Sequence, residues 1–146
     1  MKIKVFLACM ALCSSVSAAT VSGSIAYSFR GMSGVVPFSM SEGEEVVIND
    51  TFKVTPYVQS ISRGKATAST IIEGGEFKLR INSLSKDSVM AAYTLKLNRL
   101  EDMRHVAGID LPTSREVFNK GSKQAKTGER TNIFENEYAV VSIIVN

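Results

Sequence analysis

Residues 77–98, FKLRINSLSKDSVMAAYTLKLN, decide the fold class. Phe77, Leu79 and Ile81 alternate with Lys78, Arg80 and Asn82, and Ala91, Tyr93, Leu95 and Leu97 alternate with Ala92, Thr94, Lys96 and Asn98. A period of two places each apolar set on one face of an extended segment. Ser85-Lys86-Asp87-Ser88 between them is turn-like, so the stretch predicts an antiparallel hairpin with one face turned to a core.

The same period recurs outward from this hairpin. Val21, Gly23, Ile25, Tyr27 and Phe29 alternate with Ser22, Ser24, Ala26 and Ser28. Further strands are predicted at 45–48, at 52–62 with a kink or edge position at Pro56, at 66–72 and at 138–145. Arg63-Gly64-Lys65 and Gly74-Gly75 punctuate them as turns, and Gly31-Met32-Ser33-Gly34 reads as a small-residue loop. Residues 99–134 read as the longest irregular stretch, with a strand near Val117 and at most a helical turn at 100–106 or 114–119. The expected fold class is mainly β: a single antiparallel sheet, sandwich or partial-barrel domain.

Residues 1–19 read as a secretory signal peptide, with Lys2 and Lys4 at its charged end, an apolar stretch from Val5 to Cys13 and small residues at 16–19 for cleavage. The remaining residues, 20–146, are expected to form one β-rich exported domain, in the periplasm, the outer membrane or at the cell surface. Neither cysteine suits lipid attachment: Cys13 follows Leu12, and Cys9 has almost no apolar segment ahead of it. Both cysteines lie in the leader, so the exported domain is held by packing and hydrogen bonds without disulfides. Its charge falls from +3 to about +1 because Lys2 and Lys4 leave. A near-neutral chain whose aromatic residues sit on apolar strand faces offers no footprint for nucleic acid.

Catalytic and cofactor chemistry finds little to build on. His105 is the single histidine and reads as a surface loop residue, and no Gly-x-Ser-x-Gly elbow is present. Glu42, Glu44 and Glu45, and Glu101 with Asp102, read as acidic clusters that solubilise strand ends. Lys120, Lys123, Lys126 and Arg130 read as an ordinary solvated loop. Gly74-Gly75 lacks the helix start and lysine of a phosphate cradle, and the acceptor pattern Asn49-Asp50-Thr51 is of a kind that arises by chance. No enzyme, metal or cofactor is expected.

From about Ile48 onward the order of features resembles the channel domain of secretins, the outer-membrane subunits of secretion systems and type IV pili. Val54-Thr55-Pro56-Tyr57-Val58 resembles the approach to the secretin central hairpin. The segments 73–81, EGGEFKLRI, and 88–97, SVMAAYTLKL, are similar to a glycine-led strand of the barrel wall and its partner. Leu111-Pro112-Thr113-Ser114-Arg115-Glu116-Val117 is similar to a proline-threonine and arginine-glutamate segment, and Thr127-Gly128-Glu129-Arg130-Thr131 to the turn before the closing strand. The chain departs from the family where residues 138–145 run on without a closing glycine pair, and only residues 20–47 stand where secretins carry ring domains.

The resemblance implies a non-catalytic component of an outer-membrane secretion or pilus-type apparatus that acts by β-strand-mediated assembly. Its partner would be itself, as a homo-oligomer, or an outer-membrane channel subunit, with membrane association indirect. Phe77, Leu79, Ile81, Tyr93, Leu95 and Leu97 would form the wall or core of the hairpin, and Arg115 with Glu116 an ion pair between subunits. Two alternatives compete: a fibre or adhesin subunit that donates residues 20–29 to a neighbour, and a small periplasmic binding or inhibitor protein.

Overall fold

The structure, a computed structural model, describes residues 17–146. The leader read into residues 1–19, with both cysteines, falls for its first sixteen positions outside the described residues. The described chain is built of eight strands: β1 (Thr20–Phe29), β2 (Met32–Ser41), β3 (Glu45–Ser62), β4 (Lys65–Ser85), β5 (Ser88–Val106), β6 (Ile109–Lys126), β7 (Thr131–Glu135) and β8 (Ala139–Val145). They form two antiparallel four-stranded sheets, ordered β2-β1-β8-β7 and β3-β4-β5-β6. The fold is mainly β, as the period-two pattern predicts.

The two sheets bury their apolar faces against each other. The first contributes Val21, Ile25, Tyr27 and Phe29 from β1 with Val141, Ile143 and Val145 from β8; the second contributes Phe77, Leu79, Ile81, Leu95 and Leu97. The Tyr27 and Phe77 rings meet across the interface at 5.5 Å between centroids, tilted by 45°. Each buried side chain of Leu or Phe size contributes roughly 1.5–3 kcal/mol over its exposed state, so this apolar layer is the main source of stability. Polar tethers join the sheets at its rim: the Tyr27 hydroxyl donates to Asp50 at 2.6 Å, and the Tyr93 hydroxyl to the Ile133 carbonyl at 2.6 Å.

The central hairpin forms as predicted, with Leu79 opposite Tyr93, Phe77 opposite Leu95 and a bulge between Ser83 and Ser85. Its strands run much further than their apolar alternation. The separate strands expected at 45–48 and 52–62 are one strand, β3, carrying bulges between Thr51 and Lys53 and between Val58 and Ser60. Gly74-Gly75 is not a turn: β4 passes straight through it. Gly74 holds φ at +151°, and a Cβ there would strike the Asp50 carbonyl oxygen of β3, so glycine permits a close strand approach rather than a reversal.

Residues 99–134 are likewise not irregular. They continue β5 to Val106, turn at Ala107-Gly108, return as all of β6 and begin β7. No helical turn forms there, and Lys120, Lys123 and Lys126 lie on a strand rather than a loop. Most side chains from Glu101 to Phe118 are exposed, so nothing imposes the one-sided alternation that marks a half-buried strand. Likewise the small-residue loop reduces to the turn Arg30-Gly31, after which Met32 to Ser41 pair with β1 along their full length.

Candidate functional site: open sheet edges and the root of two arms

Of the residues expected to carry assembly, five are sealed in the core. Phe77, Leu79, Ile81, Leu95 and Leu97 are at most 2% exposed, so they act as core and not as a surface wall. Tyr93 is half-buried and spends its hydroxyl on Ile133, and burial raises its pKa. Arg115 and Glu116, as neighbours on a strand, point to opposite faces. Each already has a partner in its own chain: Arg115 Nε lies 2.9 Å from Glu101 Oε2, and Lys96 Nζ lies 3.1 Å from Glu116 Oε2. The hydrogen bond from Arg115 to Glu101 also raises the pKa of the guanidinium.

The second sheet shows more than its core face. Pairing between β4 and β5 runs from Ser85 opposite Ser88 to Gly74 opposite Asn98 and ends there. Beyond that level the β3–β4 and β5–β6 hairpins continue as two separate arms, residues 52–72 and 99–115, closed by the turns Arg63-Gly64 and Ala107-Gly108. Both turns place two successive residues at positive φ, the geometry that matches the twist of a two-residue hairpin.

Three irregularities gather at the root of the arms: the bulge at Phe52 beside Gly74, and the bulge at Glu101, further along β5 than the level of Gly74 and Asn98. Glu73 is buried there and bound to Arg99 Nη1 at 3.1 Å, while also accepting the Leu100 N–H at 3.1 Å. The Arg99 guanidinium lies 5.1 Å from the Phe52 ring centroid, and Asn98 Nδ2 donates to the Ile72 carbonyl at 2.9 Å. Glu101, lifted out by its bulge, accepts from Arg115 and pairs with Arg30 at 2.7 Å; Arg30 in turn lies 4.4 Å over the Tyr138 ring. The root is thus fastened from both sheets. A shallow groove of about 310 Å³ opens beside it, lined by Asn49, Asp50, Thr51, Gly74, Lys96 and Asn98 among others.

Towards their tips the arms meet through β3 and β6. Asp110 accepts the Val58 N–H at 2.6 Å and pairs with His105, and these contacts, the Val58 amide first, hold its carboxyl below the usual range. His105 is therefore on a strand, not in a loop. Burial and the bond to Asp50 push the Tyr27 hydroxyl well above the ordinary tyrosine value. Glu42 accepts the Ser83 N–H at 2.6 Å, which lowers its pKa. Among the described residues no cluster of three or more His, Cys, Asp or Glu side chains forms.

No protein family, curated protein or solved structure matches this chain. Its site is therefore read from geometry: a four-stranded sheet whose outermost strands, β3 and β6, are each 18 residues long and have a strand partner on one side only. The sequence pattern predicts the first arm, as strands 52–62 and 66–72 about the Arg63-Gly64-Lys65 turn, and misses the second. The dipeptide Ala107-Gly108, flanked by Val106 and Ile109, was the available signal for the second.

Proposed function

We propose that this chain is a non-catalytic, exported component of an outer-membrane secretion or pilus-type apparatus, secretin-like in its β-domain, and that it assembles by strand addition between copies. The observation that carries the reading is the open sheet β3-β4-β5-β6. Its four strands alternate in direction, so β6 of one copy and β3 of the next can pair antiparallel without breaking the alternation, and repeated head-to-tail addition closes a ring. Charge supports the same register. At the level where Glu45 lies opposite Arg80, and Arg80 opposite Ala92, the far edge carries Ser122, flanked by Lys120 and Lys123. Acidic Glu44 and Glu45 on one edge thus stand level with lysines on the other.

Strand donation by residues 20–29 has less support, since β1 is an inner strand already paired with both β2 and β8. The test of edge addition uses the absence of cysteine beyond Cys13. Asn49→Cys on β3 and Phe118→Cys on β6, level with each other in that register, should in one chain give an oxidant-dependent ladder of cross-linked species, and each single variant at most a dimer. Native mass determination with and without mild detergent should find a discrete large particle. A monomer under both conditions, with no ladder, would sink the reading.

A further inference from the structure

We infer that the first arm, residues 52–72, docks through one face on the surface of a bilayer that contains anionic phospholipid. Within the arm, Val54, Pro56 and Val58 stand on the same face as their register partners Ile72, Thr70 and Ala68; beyond the bulge at Gln59, Ile61 opposite Ala66 rejoins it. That face carries no charged residue, and Val54, Ile61 and Ile72 are 51%, 45% and 57% exposed on it. The opposite face carries Thr55, Tyr57, Ser69 and Ile71, all partly buried, so it is the side turned towards the rest of the molecule. The outward face is thus an apolar stripe about 20 Å long, open at Val54, Pro56 and Ile72 and met near its tip by the Gly108 turn of the second arm beside Ile61.

The charge of the arm selects the occupant. Between Phe52 and Ile72 there are three cations, Lys53, Arg63 and Lys65, and no carboxylate, in a domain that is otherwise close to neutral. Lys53, opposite Glu73, lies at one end of the arm and Arg63 with Lys65 at the other; Lys53 and Lys65 alternate to the face opposite the stripe, at headgroup level if the stripe is buried, and among the described residues none of the three is in an ion pair. Apolar side chains framed by uncompensated cations suit the boundary between acyl chains and anionic headgroups, where each basic residue adds attraction and the apolar face leaves water. The hairpin lies on the membrane rather than across it, because a lone two-stranded ribbon would take unpaired backbone groups into hydrocarbon. The association is direct, in contrast to the indirect one expected from sequence, and it does not depend on strand addition between copies.

The chain has no tryptophan, so Val54→Trp places a single reporter on the stripe and Lys86→Trp a control on a distant turn. With vesicles of phosphatidylcholine and phosphatidylglycerol, the Val54→Trp emission should shift to the blue and the protein should float with the vesicles. Neither should occur with phosphatidylcholine alone, and Lys86→Trp should not shift. Ile72→Asp, at an exposed position, should lower partitioning at least ten-fold with an unchanged thermal midpoint; Arg63→Gln and Lys65→Gln should each lower it about five-fold. Three results would overturn the inference: no shift with anionic vesicles, binding indifferent to Ile72→Asp, or a lipid-independent shift that grows with protein concentration, which would make a second copy the occupant.

Discussion

Glu73 and Arg99 form an ion pair at 3.1 Å where the arms leave the body, and the carboxylate is 2% exposed. A carboxylate so far from water is held by what surrounds it, here Arg99 and the Leu100 amide. Removing one partner leaves a buried charge without compensation, whereas removing both does not.

Arg99→Met should therefore lower stability by about 3–5 kcal/mol, and the double variant Glu73→Gln/Arg99→Met should cost clearly less than the sum of its two single variants. Urea midpoints of the four proteins measure this. Additive costs would mean that the two residues do not act as a pair.

Gly74→Ala should destabilise by at least about 3 kcal/mol, because the new Cβ meets the Asp50 carbonyl, a backbone atom that cannot move aside. Gly31→Ala, at φ +75° with no atom within 4 Å, should cost only about 1 kcal/mol. Thermal unfolding of both variants distinguishes close approach from turn conformation as the reason for each glycine.

Leu95→Ala should cost about 2–5 kcal/mol, since Leu95 is wholly enclosed between the sheets. Phe118→Ala, at a side chain 65% exposed, should stay within about 0.5 kcal/mol. If Phe118→Ala instead lowers the mass of the native particle with an unchanged midpoint, its ring belongs to a contact between copies.

The contact between the arms should be sensitive to acid. The folded pKa of Asp110 is depressed below its ordinary 3.8, so its contribution is complete above that value and is lost as pH falls through the lower folded one. Hydrogen-exchange protection of the Val58 amide, measured against an unstructured reference, should decline over that window. Asp110→Asn should remove the pH dependence; protection that persists equally in the variant would assign the contact to packing alone.

The most legible part of the fold was the part with one wet face and one dry one. Strand β1 and the central hairpin alternate because their sheets bury one side, so Ile25 and Leu79 could be placed on a core face from sequence alone, whereas β8 was legible as an almost continuous apolar run. The first arm was legible through its β-branched residues and the Arg63-Gly64-Lys65 turn; the second was hidden because Thr113 and Ser114, like most of its residues, are exposed on either face, so no period is enforced. Gly74-Gly75 misled for a related reason: a glycine that admits a neighbouring backbone has the same signature as one that reverses the chain. Arg115 and Glu116 were adjacent and opposite in charge, yet a strand sends neighbours to opposite faces, and their partners Glu101 and Lys96 come from the next strand.

The sheet β2-β1-β8-β7 joins the first described strand to the last, with Gly23 opposite Val145 and the Asn146 amide bonded to the Ser22 carbonyl. Synthesis therefore delivers its middle in two instalments separated by more than a hundred residues. Until β8 arrives, one edge of β1 stands unpaired and Val141, Ile143 and Val145 are missing from the core, while the β3–β6 sheet already has all its strands. The first sheet therefore closes only when the seven-residue strand β8 pairs with β1, a contact of high sequence separation, and a chaperone that shields the open edge of β1 would act before that pairing.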